Sequence, residues 1–182
     1  MEKHLALLSG GLDSTVNLAL SHRSGNAHLA VTCDYGQRAA EREINASASL
    51  CRHYGIPHRI IKIPWLGEIS TNALTNADSA LPDPDEMNEK AADAQVWVPN
   101  RNGLFLNIAA AVAEAMEIDC VLVGFNAEEA ENFPDNSAAF LQAAQSALDY
   151  STQCKVKLLS HTIDMRKPDI IKLAIYDICG FQ

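Results

Sequence analysis

Six consecutive residues near the N-terminus have the composition of a loop that binds a phosphate group. Ser9-Gly10-Gly11-Leu12-Asp13-Ser14, called here the glycine loop, follows a short apolar run and precedes a segment with helical spacing. Its two glycines allow a tight turn in which several backbone N–H groups face one point. A helix that starts there adds the positive end of its dipole, and Ser9 and Ser14 add hydroxyl donors. The loop therefore predicts an anion site.

Asp13 adds a metal to this expectation. A carboxylate repels a bound phosphate unless a divalent cation lies between them, and Mg²⁺ is the usual cation. The alternative is that Asp13 only caps a helix, because Asp and Ser are common N-cap residues. The loop matches neither G-x-x-x-x-G-K-[ST] nor G-x-G-x-x-G, so it is neither a Walker loop nor a dinucleotide fingerprint.

The glycine loop lies in a chain that alternates strand patterns with helix patterns. Short β-branched or aliphatic runs predict strands at His4–Leu8, His28–Cys33, His58–Ile63, Asp119–Gly124 and Lys155–Leu159. Ala- and Leu-rich helical spacing predicts helices at Ser14–Ser21, Ala39–Tyr54, Leu104–Met116, Ser137–Tyr150 and Pro168–Ile178. This alternation predicts an α/β fold, a doubly wound parallel five-stranded sheet with helices on both faces. Ligands of such sheets bind at the carboxyl ends of the strands.

The composition favours one domain, 1–182, with small-molecule ligands. The 182 residues are 48% hydrophobic and carry a formal net charge of −9, which argues against a nucleic-acid surface or an anionic-membrane surface. Five cysteines without C-x-x-C spacing indicate free thiols in a reducing cytoplasm. No run approaches the ~20 apolar residues of a membrane helix. The segment 71–95 has six acidic residues, two prolines and no apolar face, and we expect either a mobile loop beside the strand ends or a solvated insertion.

Two further motifs place polar residues where ligands of this fold class bind. Asp34-Tyr35-Gly36-Gln37-Arg38 ends the second predicted strand. Arg38 pairs either with a phosphate or substrate carboxylate, or with Glu41 at helical spacing. Val98–Gly103 precedes a predicted helix, and its Arg101 supplies a forked cation. The alternative for this segment is a proline-ended edge with an Asn cap.

The motifs together resemble known enzymes. The glycine loop resembles the SGGxDS pyrophosphatase loop of ATP-dependent enzymes that adenylate a substrate and release pyrophosphate. Three more motifs accompany it, and in order and spacing all four resemble the 7-cyano-7-deazaguanine synthase family of queuosine biosynthesis. These three are Asp34-Tyr35-Gly36-Gln37-Arg38 with Glu41, Val98-Pro99-Asn100-Arg101-Asn102, and Gly124-Phe125-Asn126 followed by Phe133-Pro134-Asp135.

The resemblance implies a Rossmann-like domain of the adenine nucleotide alpha hydrolase type and a set of site residues. For the nucleotide these are Ser9, Gly10, Gly11, Leu12, Asp13, Ser14, Tyr35, Gln37, Arg38 and Gly124. For the substrate they are Arg101, Asn102, Asn126, Phe133 and Asp135. Asp13, Lys167 and Arg101 are the implied catalytic residues, with Asp13 on Mg²⁺-pyrophosphate and Lys167 near the nucleotide phosphates.

Several of these residues have a structural alternative. Asn126 and Asp135 could bind the polar edge of a purine-like ring, where an unmatched buried group costs about 1–3 kcal/mol. The alternative is that Asp135 or Asn136 caps the following helix. Phe133 and Tyr35 either contact a ligand or pack in the core.

The activity that the resemblance implies is an ATP-dependent carbon–nitrogen ligase. It converts 7-carboxy-7-deazaguanine and ammonia to 7-cyano-7-deazaguanine through adenylated intermediates, with free ammonia as the donor because no glutaminase nucleophile is apparent. The alternatives are an NAD synthetase-like amidase, a tRNA thiolase, or an ATP sensor without turnover. The net charge of −9 and the isolated cysteines argue against the thiolase.

The sequence departs from the family pattern in two places. The family carries a zinc-binding cysteine cluster beyond the position of Cys179, and the zinc ligands are not in this sequence, which ends at Gln182. Asn136-Ser137 stands where the family commonly has Cys-Arg, which bears on substrate identity. The resemblance also suggests a homodimer.

Overall fold

A computed structural model describes residues 2–70, 72, 74–75 and 96–175. The acidic loop expected at 71–95 lies outside the described residues, apart from positions 72, 74 and 75. Within the described part of the chain, no helix is long and apolar enough to span a membrane.

Five parallel strands form one sheet in the order β3-β2-β1-β4-β5. The strands are β1 (His4–Leu7), β2 (Ala27–Asp34), β3 (His58–Lys62), β4 (Cys120–Leu122) and β5 (Lys157–Leu159). The helices are α1 (Leu12–Arg23), α2 (Ala40–Tyr54), α3 (Trp65–Glu68), α4 (Arg101–Ala115), α5 (Ala127–Ala130), α6 (Ala138–Ser151) and α7 (Lys167–Leu173), with a 3₁₀ turn at Pro134–Asn136. The predicted α/β class and parallel five-stranded sheet are confirmed.

Both faces of the sheet are covered. Successive side chains along each strand point to opposite faces, so each strand contributes to packing on both sides. On one side Leu5 and Val121 pack with Ala109 and Ala113 of α4. On the other side Ala6 packs in a cluster that includes residues of α1 and α2. This double burial explains why the strands read as continuous apolar runs.

The strand order places a crevice at the glycine loop. The chain leaves β1 for β2 on one side, and β4 pairs with β1 on the other, so the order reverses between β1 and β4. Ligands of doubly wound sheets bind at such a reversal, beyond the carboxyl ends of the strands. The glycine loop follows β1, and Gly124 follows β4, so both border the crevice.

Some element boundaries differ from the sequence expectations. The last strand starts at Lys157 rather than Lys155, because Lys155 has a φ of 57°, which is incompatible with a strand. Lys167 is the first residue of α7, with Arg166 as N-cap, rather than the residue before the helix. The segment Phe125–Asp135, for which the sequence predicts neither a strand nor a helix, contains the short helix α5. Such short elements carry too few residues for a periodic signal.

Candidate active site

The glycine loop forms a tight turn closed by its own serines. Gly10 has a φ of 76°, and Gly11 is the N-cap of α1 without a side-chain cap. Gly11 N donates to Ser9 Oγ (3.3 Å), and Ser14 Oγ donates to the Gly11 carbonyl (3.1 Å). Asp13 therefore lies in the first turn of α1 and is not its cap. The first N–H groups of a helix have no acceptor within it, so the turn presents free donors at the positive end of α1.

Two glycines allow the loop to fit between neighbouring elements. A Cβ on Gly10 would lie 2.6 Å from Ala46 Cβ of α2. A Cβ on Gly124 would lie 2.6 Å from Ser14 N. Gly124 therefore supports the back of the loop through direct backbone contact, and its predicted contact with the nucleotide stays a prediction.

A lysine and two carboxylates meet beside the loop. Lys167 Nζ pairs with Asp13 Oδ2 and, at 2.7 Å, with Glu129 Oε1. Burial lowers the pKa of Lys167, but the hydrogen bonds with Asp13 and Glu129 outweigh burial and hold the pKa above its ordinary value. Asp13 Oδ1 is buried without a partner. A buried acceptor without a partner is costly, so this oxygen is free for a ligand.

A buried polar network fixes Asp13 from behind. Asn17 Nδ2 donates to the Asp13 carbonyl and to Thr162 Oγ1, both at 2.8 Å, and Asn17 Oδ1 accepts from His161 N at 2.7 Å. Thr162 Oγ1 in turn donates to the Phe125 carbonyl (2.7 Å). Asn17 and Thr162 are 1% and 0% exposed, respectively. The network joins α1 to the segments that follow β4 and β5, so it sets the distance between Asp13 and α7.

A cavity of about 410 Å³ opens in front of these groups. The glycine loop lines it, apart from Gly10. Five other residues predicted for the site also line it: Tyr35, Arg101, Asn102, Gly124 and Lys167. The structure therefore brings together residues from both ends of the chain in a space of the size that small-molecule ligands occupy.

Arg101, in the first turn of α4, lines the same cavity as the glycine loop. Its Nη1 lies 3.5 Å from the Tyr35 hydroxyl, and burial raises the pKa of Tyr35 above its ordinary value. Burial also raises the pKa of Cys33, in the same cavity wall, to about 12. Cys33 is thus a neutral thiol and a poor nucleophile. Among the cavity residues on this side, Arg101 therefore carries the positive charge.

The segment around the 3₁₀ turn forms another part of the wall. Asn102 Nδ2 donates to the Asp135 carbonyl (3.2 Å), and Asn136 Nδ2 lies 3.4 Å from Asp135 Oδ1. Burial raises the pKa of Asp135, and the charge of Arg101 offsets part of this rise. Asn136 lines the cavity, whereas Asp135 lies behind it. The N-cap of α6 is Ser137, so neither Asp135 nor Asn136 has the capping role that the sequence left open.

Besides Gly10, five residues predicted for ligands are not among those that line the cavity, and their ligand roles stay predictions. Gln37 is buried and uses its amide within the chain, and Arg38 is exposed. Asn126 is the N-cap of α5, where its side chain accepts from Glu129 N, and its buried Nδ2 has no partner. Phe133 stacks on Trp97 with ring centroids 6.4 Å apart and an interplanar angle of 9°. Asp135 is the fifth.

The structure adds two acids that the sequence did not indicate. Glu43 of α2 and Glu129 of α5 both line the cavity. A signal for Glu129 exists in the sequence, because Asn126 followed three residues later by an acid resembles a capping box. Glu43 is one of two acids in α2, and no signal in the sequence separates it from the other, Glu41.

Carboxylates are the groups here that suit a metal ion. Mg²⁺ binds through one or two carboxylates and substrate phosphates, so Asp13 with its free Oδ1 fits this ion. In the described part of the chain there is no group of three or more His, Cys, Asp or Glu residues that could hold a metal by themselves. Zinc therefore finds no closed protein site among these residues.

Comparisons with known proteins agree with this geometry. A family model described as "Queuosine biosynthesis protein QueC" matches residues 3–177. The 7-cyano-7-deazaguanine synthase of Desulforamulus reducens is 52% identical over 176 residues, which cover 93% of this chain and 77% of that protein. The 7-cyano-7-deazaguanine synthase of Methanosarcina mazei is 46% identical over 183 residues, which cover 95% of this chain and 79% of that protein.

Two solved structures share the fold. NMN synthetase from Francisella tularensis has a TM-score of 0.55 at 18% identity over 97% of this chain and 62% of its own. NH3-dependent NAD synthetase from Campylobacter jejuni has a TM-score of 0.52 at 18% identity over 96% of this chain and 63% of its own. This chain spans less than two thirds of either structure, and at such identity they support the fold alone. The resemblance inferred from the motifs is confirmed by the family match, and the chain belongs to the QueC family.

Proposed function

We propose that this chain is an ATP-dependent ligase that converts 7-carboxy-7-deazaguanine and ammonia to 7-cyano-7-deazaguanine. One observation carries the proposal. A single cavity is lined by the glycine loop, by the Asp13–Lys167 pair and by Arg101. That combination suits a nucleotide triphosphate on one side and an organic acid on the other. The curated relatives with 46% to 52% identity carry the name of this activity.

The chemistry requires activation of a carboxylate. Ammonia does not displace an oxygen anion from a carboxylate at a useful rate, so the oxygen must first become part of a good leaving group. The substrate carboxylate attacks the α-phosphorus of ATP, which gives an acyl-adenylate and pyrophosphate. Ammonia then displaces AMP and forms the amide. The amide oxygen then attacks the α-phosphorus of a second ATP, which releases a second pyrophosphate, and loss of AMP and two protons gives the nitrile.

The chain supplies position and charge rather than a covalent group. The free N–H groups of the glycine loop hold the β- and γ-phosphates, which become pyrophosphate. The ammonium of Lys167 lies beside the loop and stabilises the charge that develops on this leaving group. Arg101 orients the substrate carboxylate through its forked donors. These roles fit adenylyl transfer, where alignment and charge stabilisation account for most of the rate.

Asp13 is the residue that would hold Mg²⁺, through the oxygen that has no partner. When bound, the ion neutralises phosphate charge and orients the polyphosphate. The resemblance also suggests that the enzyme is a cytoplasmic homodimer with 1–182 as its ATP-pyrophosphatase domain. Light scattering on the purified chain tests the oligomeric state.

Pyrophosphate release tests the proposal. The assay compares ATP alone, ATP with 7-carboxy-7-deazaguanine, and ATP with this acid plus ammonium, in the presence of Mg²⁺. We expect release that depends on the acid, and the nitrile, detected by mass spectrometry, only when ammonium is present. A nucleotide sensor would release no pyrophosphate under any condition. A ligase for a different acid would not respond to this one.

A further inference from the structure

Glu43 lies on the face of α2 that contacts the glycine loop. Ala46 and Ser47 follow it by three and four residues, which places all three on one side of the helix. Ala46 adjoins Gly10, and Ser47 Oγ donates to the Leu8 carbonyl (3.3 Å). Glu43 lines the cavity one helical turn from these contacts. Glu43 therefore shares a cavity with the glycine loop.

Gln37 holds this carboxylate in place. Gln37 Nε2 donates to Glu43 Oε2 (2.9 Å) and to the Cys33 carbonyl (3.2 Å), while its Oε1 accepts from Tyr35 N (2.9 Å). Gln37 is only 5% exposed, so its amide has little freedom to change partners. A neutral amide fixes the orientation of the carboxylate without cancelling its charge.

The groups around Glu43 leave its charge available. The Cys33 thiol and the Tyr35 hydroxyl lie in the same wall, and burial keeps both protonated because it raises the pKa of each. Among the residues that the structure describes, no lysine, arginine or histidine forms an ion pair with Glu43. An ionised carboxylate only accepts hydrogen bonds, and its two oxygens match two adjacent donors. A bound molecule with two adjacent donors matches these oxygens.

We infer that Glu43 binds the ligand by accepting hydrogen bonds from a pair of adjacent O–H or N–H donors. The inference rests on the proposed function, which supplies two molecules with such a pair. The first is the ribose of ATP, with its 2′- and 3′-hydroxyls. The second is the deazaguanine acid, with its ring N–H and 2-amino group. Gln37 acts as the residue that positions Glu43, which gives this buried glutamine a role although it does not line the cavity.

The test replaces Glu43 with Gln. The E43Q variant keeps an oxygen that accepts from Gln37, but it exchanges one acceptor of the ligand for an NH₂ donor. The matched control is E41Q, which removes the same charge from the exposed side of the same helix turn. Kinetics of pyrophosphate release are measured with ATP and 2′-deoxy-ATP, and with the acid and its analogue that lacks the 2-amino group. Thermal melting shows that both variants fold.

We expect E43Q to raise the KM of one ligand by about 10- to 100-fold, the range for losing a charged hydrogen bond, and E41Q to leave it unchanged. The analogue that lacks the paired donor should lose affinity in the native protein and little more in E43Q. If loss of the ribose 2′-hydroxyl weakens binding to the native protein but little more in E43Q, the partner of Glu43 is the ribose. If loss of the 2-amino group has this effect, the partner is the edge of the deazaguanine ring.

Three results overturn the inference. The first is that E43Q leaves the KM of both ligands unchanged. The second is that 2′-deoxy-ATP and the desamino acid each lose as much affinity in E43Q as in the native protein. The third is that E43Q raises only the KM of ammonium. If the native protein releases no pyrophosphate, the proposed function fails. Calorimetric titrations of the native protein, E43Q and E41Q, each with ATP and with 2′-deoxy-ATP, then still show whether Glu43 binds the ribose. If release is normal and E43Q behaves like E41Q, only the inference fails.

Discussion

Gly124→Ala perturbs the glycine loop from behind with a single methyl group. The new Cβ would lie 2.6 Å from Ser14 N and 3.0 Å from Asp13 C, whereas ordinary contact begins at 3.4 Å. Gly124 does not have a positive φ, so alanine fits its backbone conformation. The effect of the substitution therefore comes from the close contact between the new Cβ and the loop backbone. The loop must therefore move by most of an ångström, because its backbone has no rotamer through which to yield.

The displacement should affect activity more than stability. Overpacking of this kind costs roughly 1–3 kcal/mol of unfolding free energy. A misplacement of about 1 Å at a site that works by alignment can cost about 100-fold in rate. We expect kcat/KM for ATP in pyrophosphate release to fall by about 10- to 100-fold. The melting temperature, measured by circular dichroism, should fall by about 2–12 °C, because 1 kcal/mol corresponds to about 2–4 °C in a domain of this size.

Gly55→Ala is the matched control. Gly55 has a φ of 66° at the end of α2, and its added Cβ would meet nothing within 4 Å. Alanine in this left-handed conformation costs about 1 kcal/mol, so the control loses stability without touching the loop. Native kcat/KM in Gly124→Ala, or an equal loss of activity in both variants, would refute the argument that this glycine supports the phosphate site.

Three other perturbations test the site and its support. Asp13→Asn should reduce pyrophosphate release at least about 100-fold while the melting temperature changes little. The amide keeps the shape of the side chain but removes the carboxylate charge that we propose holds Mg²⁺. Undiminished turnover would contradict that role. Asn17→Ala removes three buried hydrogen bonds and should cost about 2–4 kcal/mol in urea unfolding. Burial lowers the pKa of His58, so folding is favoured above its ordinary pKa of 6.5 and loses stability as the pH falls below it. His58→Gln should therefore flatten the fall in urea midpoint between pH 7 and pH 5, and the same change at exposed His53 is the control.

The sequence was sufficient to predict the fold because burial on both faces requires apolar strands, and those strands alternate with helices of ordinary length. The glycine loop could also be located from the sequence, but for a different reason. Its glycines are needed for a backbone conformation, as the φ of 76° at Gly10 shows, and this need is visible in the residue type itself. Features that depend on local backbone geometry are therefore recoverable from local sequence.

The charge arrangement of the site could not be predicted in this way. Lys167 and Asp13 meet across 154 positions, and Lys167 meets Glu129 across 38, so their pairing depends on the assembled sheet. Gln37 shows a second limit of local sequence. Its place in a motif at a strand end does not show that its amide bonds to Glu43, which lines the cavity, and its own ligand role stays a prediction.

We expect from the side-chain charges of the cavity that ATP and a divalent cation bind together. Among the described residues of the cavity, Asp13, Glu43 and Glu129 are acids, and Arg101 and Lys167 are the bases. Lys167 is shared between two of the acids, so its charge is largely compensated before a nucleotide arrives. A polyphosphate that entered alone would meet more negative than positive side-chain charge, offset only by backbone dipoles. Asp13 Oδ1 would hold a divalent cation bound with the nucleotide, and the cation would supply the missing positive charge. We therefore expect the cavity to bind metal-bound ATP more tightly than free ATP.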